Sequence, residues 1–216
     1  MSLQTRFSKE DLARIKAAVF DAESKISGEI VPVFVESSGR YTLANYRGAM
    51  IASISTFLTI IFLDRYEPQY AIYDPLMILI IFLTAGIVGA LITNYFIPVK
   101  RLLVTQQQLD SATRVRAEKA FLEQEVFNTR ERTGILIFVS FFEQEVIVMA
   151  DKGISKVVDQ KEWDSLVRLI IEGIRRNQLV DGLEAAIKRS GEILFEKGFL
   201  RAEDDINELG DDLRIE

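Results

Sequence analysis

The sequence predicts an α/β fold: a small mixed β-sheet flanked by helices, with a two-helix membrane hairpin inserted between the first strand and the crossover helix. Three observations predict it. The stretch Arg132–Ile154 holds two apolar runs rich in β-branched and aromatic residues, Ile135–Phe142 and Val146–Ala150, on either side of the polar turn Glu143-Gln144-Glu145, as a strand–turn–strand unit should. Amphipathic helical stripes lie before and after it. Upstream, two long apolar runs carry charge only at their ends, the pattern of membrane spans.

Composition bounds the chemistry. The chain has 216 residues and a net charge of −6. That balance argues against nucleic acid as a partner, because phosphate binding needs a basic face. There is no cysteine, which excludes disulfides, thiol catalysis and zinc–thiolate sites. There is no histidine, which removes imidazole bases and most transition-metal sites. A metal would sit among carboxylates and carbonyls, so calcium or magnesium is the type expected. The N-terminal stretch MSLQTRFSKEDL is polar and predicts no cleavable secretory signal.

Ser8 opens the first helix, with Asp11 completing a capping box and early acids near the positive helix end. Leu12, Ile15, Val19, Ala22 and Ile26 form its apolar stripe. Gly28 breaks it, and Glu29–Val35 follows as a strand apolar on both faces. Pro32 cannot donate to a ladder, which predicts a bulge or an edge at that point. Ala44–Leu63 and Leu76–Val99 then meet the roughly 20 residues a span needs, the first with Arg47 snorkelling. Tyrosines 46, 66, 70, 73 and 95 fall where interfacial belts fall. Ala85-x-x-x-Gly89 and Gly86-x-x-x-Ala90 offer a small-residue face, matched by Gly48, Ala52 and Thr56. Arg40, Arg47, Lys100 and Arg101 flank the hairpin on one side, so the positive-inside rule puts both termini and the main domain in the cytoplasm and the loop Asp64–Pro75 outside. The same cations could bind anionic lipid.

Pro98 marks the exit, and Leu102–Phe127 reads as one helix. The hairpin after it, apolar on both faces, is expected in the middle of a covered sheet. Asp159 with Glu162, and Asp181 with Glu184, look like N-caps of two closing helices. Trp163, Leu166, Val167, Ile170 and Ile174 recur at helical spacing, and Trp163 with Leu166, Val167 and Ile170 is expected to be core. Gly198 is the stop. The acidic tail from Arg201 has little to bury and is expected to be extended or disordered, or else to dock on a partner. Residues 1–40 and 101–200 thus form one domain, 41–100 the hairpin and 201–216 the tail.

At Ala22-Glu23, Ser27-Gly28-Glu29, Arg116-Ala117, Thr133-Gly134, Asp151-Lys152-Gly153-Ile154, Trp163, Gly182-Leu183 and the tail Asp205-Ile206-Asn207-Glu208-Leu209, the chain resembles the TPM domain family, named from thylakoid-lumen photosystem II-associated proteins and a receptor modulator. The resemblance covers roughly 7–37 and 116–207 and is greatest to the membrane-anchored bacterial branch. Gly210 stands where relatives often carry proline. The resemblance implies the mixed α/β fold. It also implies two activities, since plant members are described as calcium-containing acid phosphatases and others as assembly or repair factors of membrane complexes.

Asp151 is the candidate catalytic and metal-binding residue, because it ends a strand beside a glycine turn. Glu29, Asp159 and Asp181 are its candidate companions around calcium or magnesium, which would polarise a phosphate. Ser27-Gly28 and Thr133-Gly134 offer backbone N–H groups to an anion, although turn formation explains them as well. Two functions follow. One is a membrane-held binding module that assembles or maintains membrane complexes, with lipid, other membrane proteins or its own copies as partners. The other is a metal-assisted phosphatase built on Asp151.

Overall fold

The computed structural model describes residues 7–201 and 208–215. Residues 1–6, 202–207 and 216, which include parts of the polar N-terminal stretch and of the acidic tail, lie outside the described residues. The chain divides into two units, Met1–Ser38 with Asp110–Glu216, and Gly39–Leu109.

The first unit opens with α1 (Lys9–Glu23), capped as expected. Ser8 Oγ accepts from Asp11 N at 3.0 Å and Asp11 returns the bond to Ser8 N at 2.9 Å. The helix ends before Ile26, which instead bridges Leu200. Strand β1 (Glu29–Val35) follows, and after the second unit come α5 (Gln106–Glu123), β2 (Gly134–Ser140) and β3 (Glu145–Ala150). A one-turn helix α6 (Lys152–Ser155), then α7 (Gln160–Arg175), α8 (Leu179–Glu196) and a two-residue strand β4 (Arg214–Ile215) complete it. Gly198, at φ +87°, is the stop after α8, in a left-handed conformation that costs other residues energy.

The sheet order is β3-β2-β1-β4. β1 and β2 are parallel with an unbroken register from Glu29↔Gly134 to Val35↔Ser140, so there is no bulge at Pro32. Glu29 N–H points to β2, donating to Thr133 O. Alternation then turns the nitrogen of Pro32 to the opposite side, where its missing N–H interrupts no β1–β2 bond. The expected hairpin of β2 and β3 forms antiparallel, but β3 is half-exposed and lies at the sheet's edge, not its middle. Among the described residues, only β1 and β2 are strands buried along their whole length.

Both sheet faces are covered. Ile30 and Phe34 with Ile135, Ile137 and Val139 pack against α1, α7 and α8, where Trp163, Leu166 and Ile170 are core as expected, while Val167 is only half-buried and Ile174 exposed, at the rim of the apolar stripe. Val31, Val33, Val35, Leu136 and Phe138 pack against Ala117 and Ala120 of α5. Each such fully buried large apolar side chain contributes about 1.5–3 kcal/mol.

The tail, expected to be extended or disordered or else to dock on a partner, is ordered over Glu208–Ile215 on its own domain. It returns to its own sheet, with Arg214 and Ile215 pairing parallel to Val33 and Phe34. Leu209 packs on one core, and Leu213 and Ile215 on the other. Lys16 Nζ holds both Asp212 carboxylate oxygens at 3.0 Å. A few apolar side chains spaced through an acidic stretch suffice to seat it.

The second unit holds α2 (Thr42–Tyr66), α3 (Pro75–Tyr95) and α4 (Ile97–Leu102). With 25 and 21 residues, α2 and α3 are long and apolar enough to cross a membrane. The apolar run through Val99 is split at Phe96, because Pro98 has no N–H and its ring clashes with the carbonyl four residues back. The predicted helix Leu102–Phe127 starts instead at Gln106, after a break at Leu103–Thr105. Arg47 Nη1 donates to the Leu103 carbonyl in that break at 2.5 Å.

The small residues of the hairpin face each other. A Cβ on Gly89 would lie 2.5 Å from Ala52 Cβ and 2.6 Å from Gly48 O, and one on Gly86 2.7 Å from Ser53 Oγ. Ser53 Oγ donates to Phe82 O at 3.0 Å. The outward sides carry exposed Leu, Ile, Phe and Met.

Candidate functional site

The direction of the strands decides which end of the sheet can hold a ligand. Because β3 runs against β1 and β2, its carboxyl end and Asp151 lie at the amino end of the parallel pair. Open α/β sheets gather ligands at the carboxyl ends of parallel strands, so the topological argument for Asp151 does not hold in this sheet.

Asp151 is 4% exposed and fully engaged. Its Oδ2 accepts from Arg132 Nε at 2.5 Å, and its Oδ1 from Arg132 Nη2 at 2.9 Å and from Lys152 N at 2.7 Å. The carboxylate therefore caps α6 and forms a two-pronged ion pair, which pushes the guanidinium pKa of Arg132 up. Gly153 lets this turn approach the 131–132 backbone, since a Cβ there would meet Glu131 O at 2.5 Å.

Two of the three expected companions, Glu29 and Asp181, are engaged elsewhere. Glu29 Oε1 accepts from Glu208 N at 3.1 Å. Asp159 stands at the N-cap of α7 without a side-chain cap bond. Asp181 is not an N-cap: it lies within the first turn of α8, whose N-cap is Gln178, and it pairs with Arg14 at 2.6 Å. Arg14 also holds Glu184 at 2.7 Å. Among the described residues no three acidic side chains converge to hold an ion. Ser27-Gly28 and Thr133-Gly134 serve packing. Thr133 Oγ1 donates to Ser27 O at 2.5 Å, and a Cβ on Gly28 would lie 2.6 Å from Leu194 Cδ1.

The carboxyl end of the parallel pair holds a group the sequence did not disclose. Glu143 is fully buried although it lies in the predicted turn. Its Oε1 accepts from Ser38 N at 3.0 Å and Ser37 Oγ at 3.2 Å, and its Oε2 accepts from Ser140 Oγ. Ser38 Oγ donates in turn to Ser140 Oγ at 2.8 Å. This network ties the exit of β1 to the turn after β2. Beside it, burial pushes the Glu145 pKa up, and the neighbouring Asp110 and Glu143 add to the rise while Thr113 opposes it. Such an acid–hydroxyl cluster can accept hydrogen bonds and hold a proton. The serines were the available signal, but only the parallel pairing of two strands about a hundred residues apart brings them to Glu143.

No family model and no curated protein matches the chain. A solved structure does: the NMR structure of the BA42 protein from the psychrophilic bacterium Bizionia argentinensis, at 20% identity and a TM-score of 0.59, over 97% of this chain and 95% of that one. At that identity the likeness speaks to fold, and it makes the α/β sheet with its flanking helices a recurrent architecture.

Proposed function

We propose that this chain is a membrane-held, TPM-like binding module that serves the assembly or maintenance of membrane protein complexes, not a metal-assisted phosphatase. The observation that carries the reading is the engagement of Asp151. A carboxylate whose two oxygens are taken by Arg132 and a helix N-terminus is poorly placed to bind a metal or attack phosphorus. The absence of histidine and cysteine supports the same side. The hairpin serves as the anchor: its small residues are spent on each other, which leaves partner binding to the α/β unit. The cationic flanks favour termini and α/β unit in the cytoplasm.

The test is capture from detergent-solubilised membranes, followed by size analysis of the purified chain. The same membrane proteins should be recovered in repeated captures, or the chain should self-associate. A monomer that never brings down a partner overturns the reading. In parallel, phosphomonoester hydrolysis with calcium or magnesium should be negligible and equal in the wild type and Asp151→Asn. A rate that falls with Asp151→Asn restores the phosphatase.

A further inference from the structure

The seam between the returning tail and the sheet gathers carboxyl groups at close quarters. Glu23, at the end of α1, is 8% exposed, and its Oε1 accepts from Ile30 N at 2.7 Å. Glu29, at the start of β1, is equally buried and takes the Glu208 N–H of the tail. No hydrogen-bond partner reaches Oε2 of either residue. The tail adds Asp211, close enough to Glu23 that its charge pushes the Glu23 carboxyl up. It also adds Glu208, whose carboxylate is held by Arg130 N at 3.0–3.1 Å, and Asp212, held by Lys16. Against these stands Arg214 of β4, half-buried, with Nη1 unpartnered and Glu23 and Asp212 within electrostatic reach. The seam thus carries more negative than positive groups, and Glu23 and Glu29 are buried away from the water that would screen them, while Glu208 and Asp212 are exposed.

We propose that the segment Glu208–Ile215 is a proton-held latch on the β1 edge, seated while Glu23 carries a proton and loosened when that proton is lost. The tail's Asp211 adds to the burial and the Glu29 charge that make ionised Glu23 unfavourable, and the β4 pairing is only two residues long. Unseating also uncovers the β1 backbone near Val33 and Phe34, an edge of the kind that accepts strands.

The sign follows from where the proton sits. Burial first, then Glu29 and Asp211, hold the Glu23 carboxyl up at about 9 against an ordinary 4.5, with the Ile30 N–H opposing. Burial pushes Glu29 up as well. Below the pKa that Glu23 keeps with the tail off, it is protonated in both states. Between that value and about 9 seating takes up a proton, so the seating constant falls with rising pH, by up to about tenfold per unit for one proton. Above that window the dependence flattens.

The chain has no cysteine, so spin labels can be placed at will. The full-length protein in lipid nanodiscs would carry Gly210→Cys, where nothing lies within 4 Å of an added Cβ, paired with Lys188→Cys on the exposed side of α8. Double electron–electron resonance from pH 5 to 10 should show a narrow distance that broadens as pH rises. A second pair, Lys152→Cys with Lys188→Cys, should stay narrow throughout. Glu23→Gln keeps a carbonyl for the Ile30 N–H but cannot ionise, and should hold the tail distance narrow at every pH. Asp211→Asn should weaken the pH response. The proposal is overturned if the wild-type tail distance is the same from pH 5 to 10, if Glu23→Gln broadens like the wild type, or if the body pair broadens together with the tail.

Discussion

Two helix pairs in this chain are built on the same close glycine contact and present opposite surfaces. In α7–α8, a Cβ on Gly173 would lie 2.8 Å from the Gly182 Cα, and the flanking residues Trp163, Leu166, Ile170, Leu183 and Ile187 are buried. The charged residues of that pair face out. In α2–α3, Gly48 and Gly89 approach as closely, but the buried positions are small or hydroxylated and the large apolar side chains are outside. The difference teaches what drives each contact. Water rewards burying the large apolar groups of α7–α8; α2 and α3 are long and apolar enough to cross a membrane, and in lipid, which is as apolar as leucine, close packing and hydrogen bonds would be left to join them. The strong amphipathic patterning of α7 and the uniform apolarity of α3 are the sequence images of those two environments.

The comparison can be broken at its glycines and at its surfaces. The largest effect is expected at Gly182→Val, whose added carbons would meet the Gly173 and Leu169 backbone and force α7 from α8. A loss of about 3 kcal/mol or more is expected, read by urea unfolding with the single buried tryptophan, Trp163, as the reporter. Leu83→Lys places a charge on the exposed side of α3. It should cost about 2.5–3.5 kcal/mol of insertion, measured by partition between membrane and soluble fractions. Full membrane recovery of that variant would argue against a spanning α3. Gly89→Val should separate α2 from α3 at a cost of about 1–3 kcal/mol, measured by a label pair across the hairpin. If the Trp163 transition shifts equally, the two units unfold as one. The smallest effect is expected for Arg168→Leu on the exposed side of α7, within about 0.5 kcal/mol of wild type, since water tolerates a single surface leucine.

Much of the fold was legible because local signals agreed. The Ser8 capping box, the Glu29–Val35 strand, the β2–β3 hairpin, the apolar pair of helices and the Gly198 stop are each set by neighbouring residues. The candidate site was less legible. Asp151 was visible as a buried-strand terminus, but Arg132, nineteen residues upstream, neutralises it only because β2 and β3 pair in that register. Asp181 and Glu184 imitate a cap and are instead an ion-pair partner set for Arg14 of α1. Glu143 reads as a solvated turn residue and is bound by serines from the loop after β1 and from β2, and is buried.

By itself, the sequence determined which segments are helix or strand and which are apolar enough for a membrane, because periodicity, caps and breakers act over one or two turns of chain. The tertiary structure alone decided that β3 is an edge, that the tail returns to β1, and which carboxylates meet a cation and which meet one another. Those outcomes depend on pairings between residues tens to nearly two hundred positions apart, and charge interactions are set by distance in space and exclusion of water, neither of which a linear pattern encodes.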